Sequence, residues 1–148
     1  MYHHRDCSAL QKAAYDAMLE ACLQVGNRDV EGVVPKLVSC IARPEEVQDC
    51  VHALAATTFV QVVEAPTLSM LCPLLLRGLR ERVTAIKRKA CLIIDNMSKL
   101  VENPEDAMVF LPRLLPEVDK VASDVADPEC RNVATKAAAT LRKMETQV

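Results

Sequence analysis

The sequence predicts an all-α stack of antiparallel helix pairs, and three observations carry that prediction. Prolines recur in similar apolar surroundings: VVPKLVSCI around Pro35, LCPLLLRGL around Pro73 and FLPRLLPEV around Pro112, spaced by 38 and 39 residues. A fixed period of this size is the mark of a repeat architecture. Apolar residues between the prolines fall at helical spacing, as with Ile86, Ala90, Ile93, Ile94, Met97, Leu100 and Val101. The apolar content, 51% of the chain, is Ala, Leu and Val; aromatics are 3% and Gly numbers only 3. That composition suits close helix–helix contact and leaves few glycines for β-turns.

Seven helices are expected, over residues 8–25, 29–42, 44–63, 66–81, 84–101, 104–126 and 128–146. The first ends at Gly26-Asn27, with Asn27 a candidate for the left-handed position. The second opens each period with its proline in the early turns or at a kink. The third begins at Arg43-Pro44-Glu45-Glu46, with acids near the positive helix end. In the fifth, Asp95 and Lys99 lie opposite the apolar stripe, four residues apart, and are expected to form an exposed ion pair. Leu92 lies off that stripe and is expected to pack on the next repeat. The sixth contains Pro112 and Pro116 and should be kinked or broken. Asn103-Pro104 and Asp127-Pro128 each supply an N-cap followed by Pro at the first helical position. Small or apolar residues correspond across the period: Ala13, Val51, Ala90 and Ala134, then Ala17, Ala55, Ile94 and Ala138. Residues 1–148 are therefore read as one HEAT-type helical-repeat solenoid of about three and a half helix pairs.

Composition excludes several function classes. The net charge of −2 with 26% charged residues gives no global pull toward nucleic acid, so any electrostatic argument is local. The seven cysteines are widely spaced, form no C-x-x-C, and are expected to be free, buried, small hydrophobes. No metal site and no cofactor are expected. His3 and His4 are read as a terminus without a metal role, and His52 stands outside any Cys or acidic constellation. The polar start, MYHHRDC, is not a secretory signal, and no apolar run reaches a membrane span of about 20 residues. A cytoplasmic protein is expected. No nucleophile motif of the G-x-S-x-G kind occurs, and an enzyme is not expected.

Over residues 57–141, the segments TTFVQVVEAPTLSMLCPLLLRGLRER, IKRKACLIIDNMSKLVENP, LPRLLPEVDKV and ADPECR are similar to the HEAT-repeat region of the fungal-type translation elongation factor 3 family. Residues before Thr57 match only as ordinary HEAT sequence. The large HEAT-repeat activator of the amino-acid-starvation kinase shares a related segment. The resemblance implies association with the ribosome. Elongation factor 3 is an ATPase with two ATP-binding cassettes, whereas this chain contains no G-x-x-x-x-G-K-[ST]. The resemblance therefore implies ribosome contact without ATP hydrolysis.

The sharpest local feature is basic. Arg77, Arg80, Arg82, Lys87, Arg88 and Lys89 crowd one helix–helix turn, with Glu81 as the only acid among them. Forked Arg donors suit phosphate or carboxylate, so the six are candidate contacts to rRNA or to an acidic partner. Arg80, Arg82, Arg88 and Lys89 are expected to be largely exposed, with Ile86 and Ala90 buried between them. A plainer reading is a solvated turn, with Lys87 and Arg131 pairing with acids of the next repeat. No aromatic residue interleaves with these cations, which argues against base stacking and for backbone recognition. The expected function is a ribosome-docking module that contacts rRNA, ribosomal proteins or both. The alternative is a scaffold or transport adaptor holding a peptide or helix along the solenoid. Neither reading involves a membrane or a small-molecule substrate.

Overall fold

A computed structural model describes residues 7–148. Its α-helices are α1 (Cys7–Leu23), α2 (Val34–Ala42), α3 (Val47–Ala55), α4 (Ala65–Leu79), α5 (Thr84–Ser98), α6 (Leu111–Asp124) and α7 (Pro128–Glu145). No strand occurs among the described residues. Single 3-10 turns at Glu31–Val33, Pro44–Glu46 and Pro104–Ala107 lead toward α2, α3 and α6. The pairs α2/α3, α4/α5 and α6/α7 pack internally; α3, α5 and α7 stack in one layer, and α4 packs on α6 in the other. This is the repeat solenoid the proline period predicts.

Prolines mark the helix starts because the first turn has no intrahelical partner for their missing N–H. Pro35, Pro66, Pro112 and Pro128 stand at the first or second position of α2, α4, α6 and α7, and Pro44 and Pro104 open 3-10 turns. Pro73 and Pro116 lie inside α4 and α6, where both are exposed. Each deprives the carbonyl four residues back of its donor, and the exposed face lets water replace it. The three period-marking prolines are therefore not equivalent. Where a 3-10 turn precedes α2 and α6, the first helix of the middle pair runs unbroken from Ala65 through Pro73. The Asn103 side chain accepts from the Glu105 amide, and the Asp127 carboxylate accepts from the Glu129 and Cys130 amides.

Several expectations are corrected. Residues 56–63 are not the end of a long third helix. They leave α3 at Ala55, and the Val63 amide donates to the Leu100 carbonyl at 2.9 Å. The run Thr57-Thr58-Phe59-Val60-Gln61-Val62-Val63 is rich in β-branched residues, which lose χ1 freedom in a helix. The loop before it in space is stitched to this segment: Asp29 Oδ2 accepts from the Val60 and Gln61 amides at 2.9 and 2.8 Å. Buried Asn27 accepts from the Asp29 amide and donates to the Val62 carbonyl. Gly26, with φ of 76°, takes the left-handed position assigned to Asn27.

The helix α1 does not continue the small-residue correspondence. Val51, Ala90 and Ala134 are fully buried, whereas Ala13 is exposed and α1 has no buried residue. Its packing is on α2, through half-buried Tyr15, Leu19 and Cys22. Leu92, expected to pack on the next repeat, is 42% exposed. Asp95 does pair with Lys99, at 2.6 Å, but Asp95 is buried. The core runs from Val30 to Met144 as one cluster, centred on α5 with Ile86, Ile93, Ile94 and Met97. All seven cysteines are free thiols, five of them buried; Cys22 is half-buried and Cys7 exposed. His3 and His4 lie outside the described residues.

Candidate functional site

The turn at residues 80–83 joins α4 to α5 and presents one edge of the stack. Arg80 and Arg82 are exposed on it. Lys87, Arg88 and Lys89 follow in the first turns of α5, all half-buried, and Ile86 and Ala90 are buried beside them. Arg88 and Lys89, expected to be largely exposed, are thus corrected to half-buried. Three consecutive helical residues fan across about 200°. They cannot share a face, and each meets a different neighbour.

Arg77 leaves the cluster altogether. It turns to the C-terminal end of α2 and donates from Nη1 to the Cys40 carbonyl at 2.9 Å, which satisfies one of the orphan carbonyls of a helix end. Arg80 reaches α6, with Nε at 3.1 Å and Nη2 at 2.8 Å from the same Glu117 oxygen, Oε1. Arg88 points to the first turn of α7 and pairs with Glu129 at 2.8 Å. Lys89 Nζ lies against His52 Nδ1 on α3. Arg82 and Lys87 have no ion-pair partner among the described residues. The expected pairing of Lys87 and Arg131 with acids is corrected as well: Arg131 donates to the Val125 and Ala126 carbonyls, closing the end of α6. Glu81 accepts from Gln48 on α3.

Lys87 lines a recess of about 290 Å³ between the α4–α5 turn and α6, together with Arg80, Thr84, Glu117, Lys120 and Asp124. Lys120, Glu117, Asp124 and Glu129 were not singled out from the sequence. A signal for part of this set was available. Cys40 and Arg77, His52 and Lys89, and Arg80 and Glu117 are each separated by 37 residues, close to one period of the repeat. The residue one period on is a spatial neighbour, so Glu117 belongs to the surroundings of Arg80 as directly as Glu81 does.

Cations gathered at one turn, with forked Arg donors among them, have the chemistry that suits an anionic partner. Among the described residues no three His, Cys, Asp or Glu side chains are grouped to hold a metal ion. No described helix is long and apolar enough to cross a membrane. Away from this recess, a cleft of about 200 Å³ between α1, α2 and α4 is lined by Met18, Cys22, Leu37, Ile41, Met70 and Leu74 among others.

The sequence profile described as "Elongation factor 3/GNC1 HEAT repeat" matches residues 45–148. The chain is 55% identical over 129 residues to elongation factor 3 of Phytophthora infestans, covering 87% of this chain and 12% of that protein. It is 53% identical over 140 residues to elongation factor 3 of Gonapodya prolifera, covering 94% and 13%. Elongation factor 3B of Saccharomyces cerevisiae is 50% identical over 135 residues, covering 91% and 13%. The similarity therefore extends upstream of Thr57, beyond the part carried by the most specific segments. The chain spans about 13% of the length of such relatives.

Proposed function

Because the chain belongs to the elongation factor 3/GNC1 HEAT-repeat family, we propose that it is a translation-associated binding module that docks on the ribosome and has no ATPase activity of its own. The observation that carries this reading is an identity of about half the residues, over most of the chain, to proteins named elongation factor 3. The edge formed by Arg80, Arg82, Lys87 and Arg88 supports the rest of it: exposed and half-buried cations at one turn, without aromatic platforms, suit the phosphate backbone of rRNA or an acidic ribosomal protein. Arg77 and Lys89 stand outside that docking edge, since one caps α2 and the other faces α3. The working compartment is the cytoplasm, where translating ribosomes are met.

Co-sedimentation with ribosomes in rising salt tests this reading. Contact with rRNA phosphate gives a linear loss of log affinity with log salt, and R80E/R82E/R88E flattens that slope by roughly 0.7–0.9 per lost contact. A triple variant that stays folded and sediments with ribosomes like wild type refutes the proposed edge.

A second reading rests on the apolar cleft beside Met18, Leu37, Ile41 and Met70. It fits a scaffold that receives an apolar helix or peptide. Binding of that kind depends shallowly on salt and is lost in M18D or I41D rather than in the arginine variant.

A further inference from the structure

Six cations and one acid make up the basic stretch in sequence, yet in space four of the cations already have partners on this chain. The two ion pairs of that set use acids from the following repeat. Arg80 directs both Nε and Nη2 at Glu117 Oε1, and Arg88 pairs with Glu129 in the first turn of α7. A guanidinium fork closing on one carboxylate oxygen has the geometry with which it takes a phosphate oxygen. Glu117 therefore occupies the position a phosphate would need. Around it stand Lys87 and Lys120, neither paired with an acid among the described residues, and Asp124. The recess holds three cations, Arg80, Lys87 and Lys120, against two acids, so it is close to neutral while empty.

We infer that Glu117 and Glu129 are built-in competitors for RNA phosphate, and that the recess lined by Arg80, Lys87 and Lys120 seats one backbone phosphate once it has displaced Glu117. This rests on the ribosome-docking reading and adds to it a seat, a further contact in Lys120, and a means of restraint. One partner of each pair is well exposed, the Arg80 side chain at 62% and Glu129 at 69%, while Glu117 and Arg88 keep 24% and 35% in reach of solvent. Water and salt therefore weaken each pair, and an incoming phosphate replaces one anion by another at modest cost. A single free anion gains little from that exchange. A polyanion that presents several phosphates at fixed spacing displaces both carboxylates together and also reaches Lys87, Lys120 and Arg82. The carboxylates thus favour an ordered RNA backbone over scattered anions.

The test uses the full chain, a short A-form RNA duplex, purified ribosomes, polyglutamate and inorganic phosphate as separate probes. E117Q keeps an amide oxygen that can still accept from Arg80, so the fold is preserved while the negative charge is removed. E117Q and E129Q should each tighten RNA-duplex and ribosome binding roughly two- to fivefold, and the double variant should combine the gains. The E117Q gain should vanish in an R80A background, and K120A should weaken binding by a similar factor. Inorganic phosphate should not bind measurably. D124N, which lowers the negative charge of the same recess from another position, should also tighten binding and guards against a folding effect peculiar to E117Q. If the Gln and Asn variants bind like wild type while R80E/R82E/R88E loses affinity, the docking edge stands and the competitor role is overturned. If neither set changes affinity, the docking reading itself falls. If the gain appears with polyglutamate and not with RNA, the partner is an acidic protein and the phosphate seat is refuted.

Discussion

Asp95 of α5 and Thr140 of α7 are tied across the interface of two stacked helices, the Thr140 hydroxyl donating to Asp95 Oδ1. Lys99 closes over the other carboxylate oxygen at 2.6 Å. The carboxylate is buried, so both donors are needed to satisfy it. Asp95→Ala should cost about 2 kcal/mol by urea unfolding, because it removes the cross-helix acceptor of Thr140 and the partner of Lys99 and leaves a void beside them. Thr140→Val should cost about 1 kcal/mol. The double variant should cost less than the sum, since the two act as one contact. Simple additivity would show that the pair does not couple α5 to α7.

Gly78 marks a close approach of α4 to α3 and α5. A Cβ there would lie 3.2 Å from Val51 Cγ2 and 3.3 Å from Ala90 Cβ. Gly78→Val should therefore destabilise the stack by about 1–3 kcal/mol through overpacking. Thermal melting reads this as a fall of roughly 2–4 °C per kcal/mol for a domain of this size. Gly32, whose Cβ would meet nothing within 4 Å, serves as the control position.

The buried cysteines make stability fall in alkali. Burial pushes the Cys50, Cys72 and Cys91 thiols up to about 12, with Cys40 adding to the shift of Cys50 and Cys130 to that of Cys91. These thiols are neutral in the folded chain and ionise first in the unfolded one. The unfolded state then binds fewer protons, so stability is unaffected below about pH 8 and declines as pH rises through 9 toward 12. Each thiol contributes up to about 1.4 kcal/mol per pH unit across that window. Cys50→Ala, Cys72→Ala and Cys91→Ala should each reduce the slope. Labelling with a thiol reagent at neutral pH should find Cys7 fast, Cys22 next and the remaining five slow.

The basic edge should be nearly silent in stability. Arg82 has no ion-pair partner among the described residues, and Arg82→Glu should leave the melting temperature unchanged. Arg80→Glu and Arg88→Glu turn attractions with Glu117 and Glu129 into repulsions, and each should cost less than about 1 kcal/mol, decreasing in high salt. A loss of several kcal/mol at either position would mark that arginine as structural.

The proline period, the apolar stripes and the N-caps at Asn103 and Asp127 place the three helix pairs and their turns, because each depends on residues close in sequence. The stripe of α5 is legible for the same reason. Ile86, Ala90, Ile93, Ile94 and Met97 are buried, as their 3.6-residue spacing requires. The β-branched run at residues 57–63 is itself a local signal against a helix there.

The partners of the cations were not open to that kind of reading. Lys87, Arg88 and Lys89 are adjacent in the chain, yet helical geometry sends them toward α6, α7 and α3. Glu117 and Glu129 reach the same edge from the next repeat only when the helices are stacked in register. The position of α1 is a matter of tertiary packing too. Its alanines match the period, but a match in spacing does not bury a helix. Burial requires a neighbour at the right distance, and α1 packs on α2 with Ala13 left in solvent. Periodicity defines the faces of helices, whereas the charge that a partner meets depends on which faces, distant in sequence, close over one another.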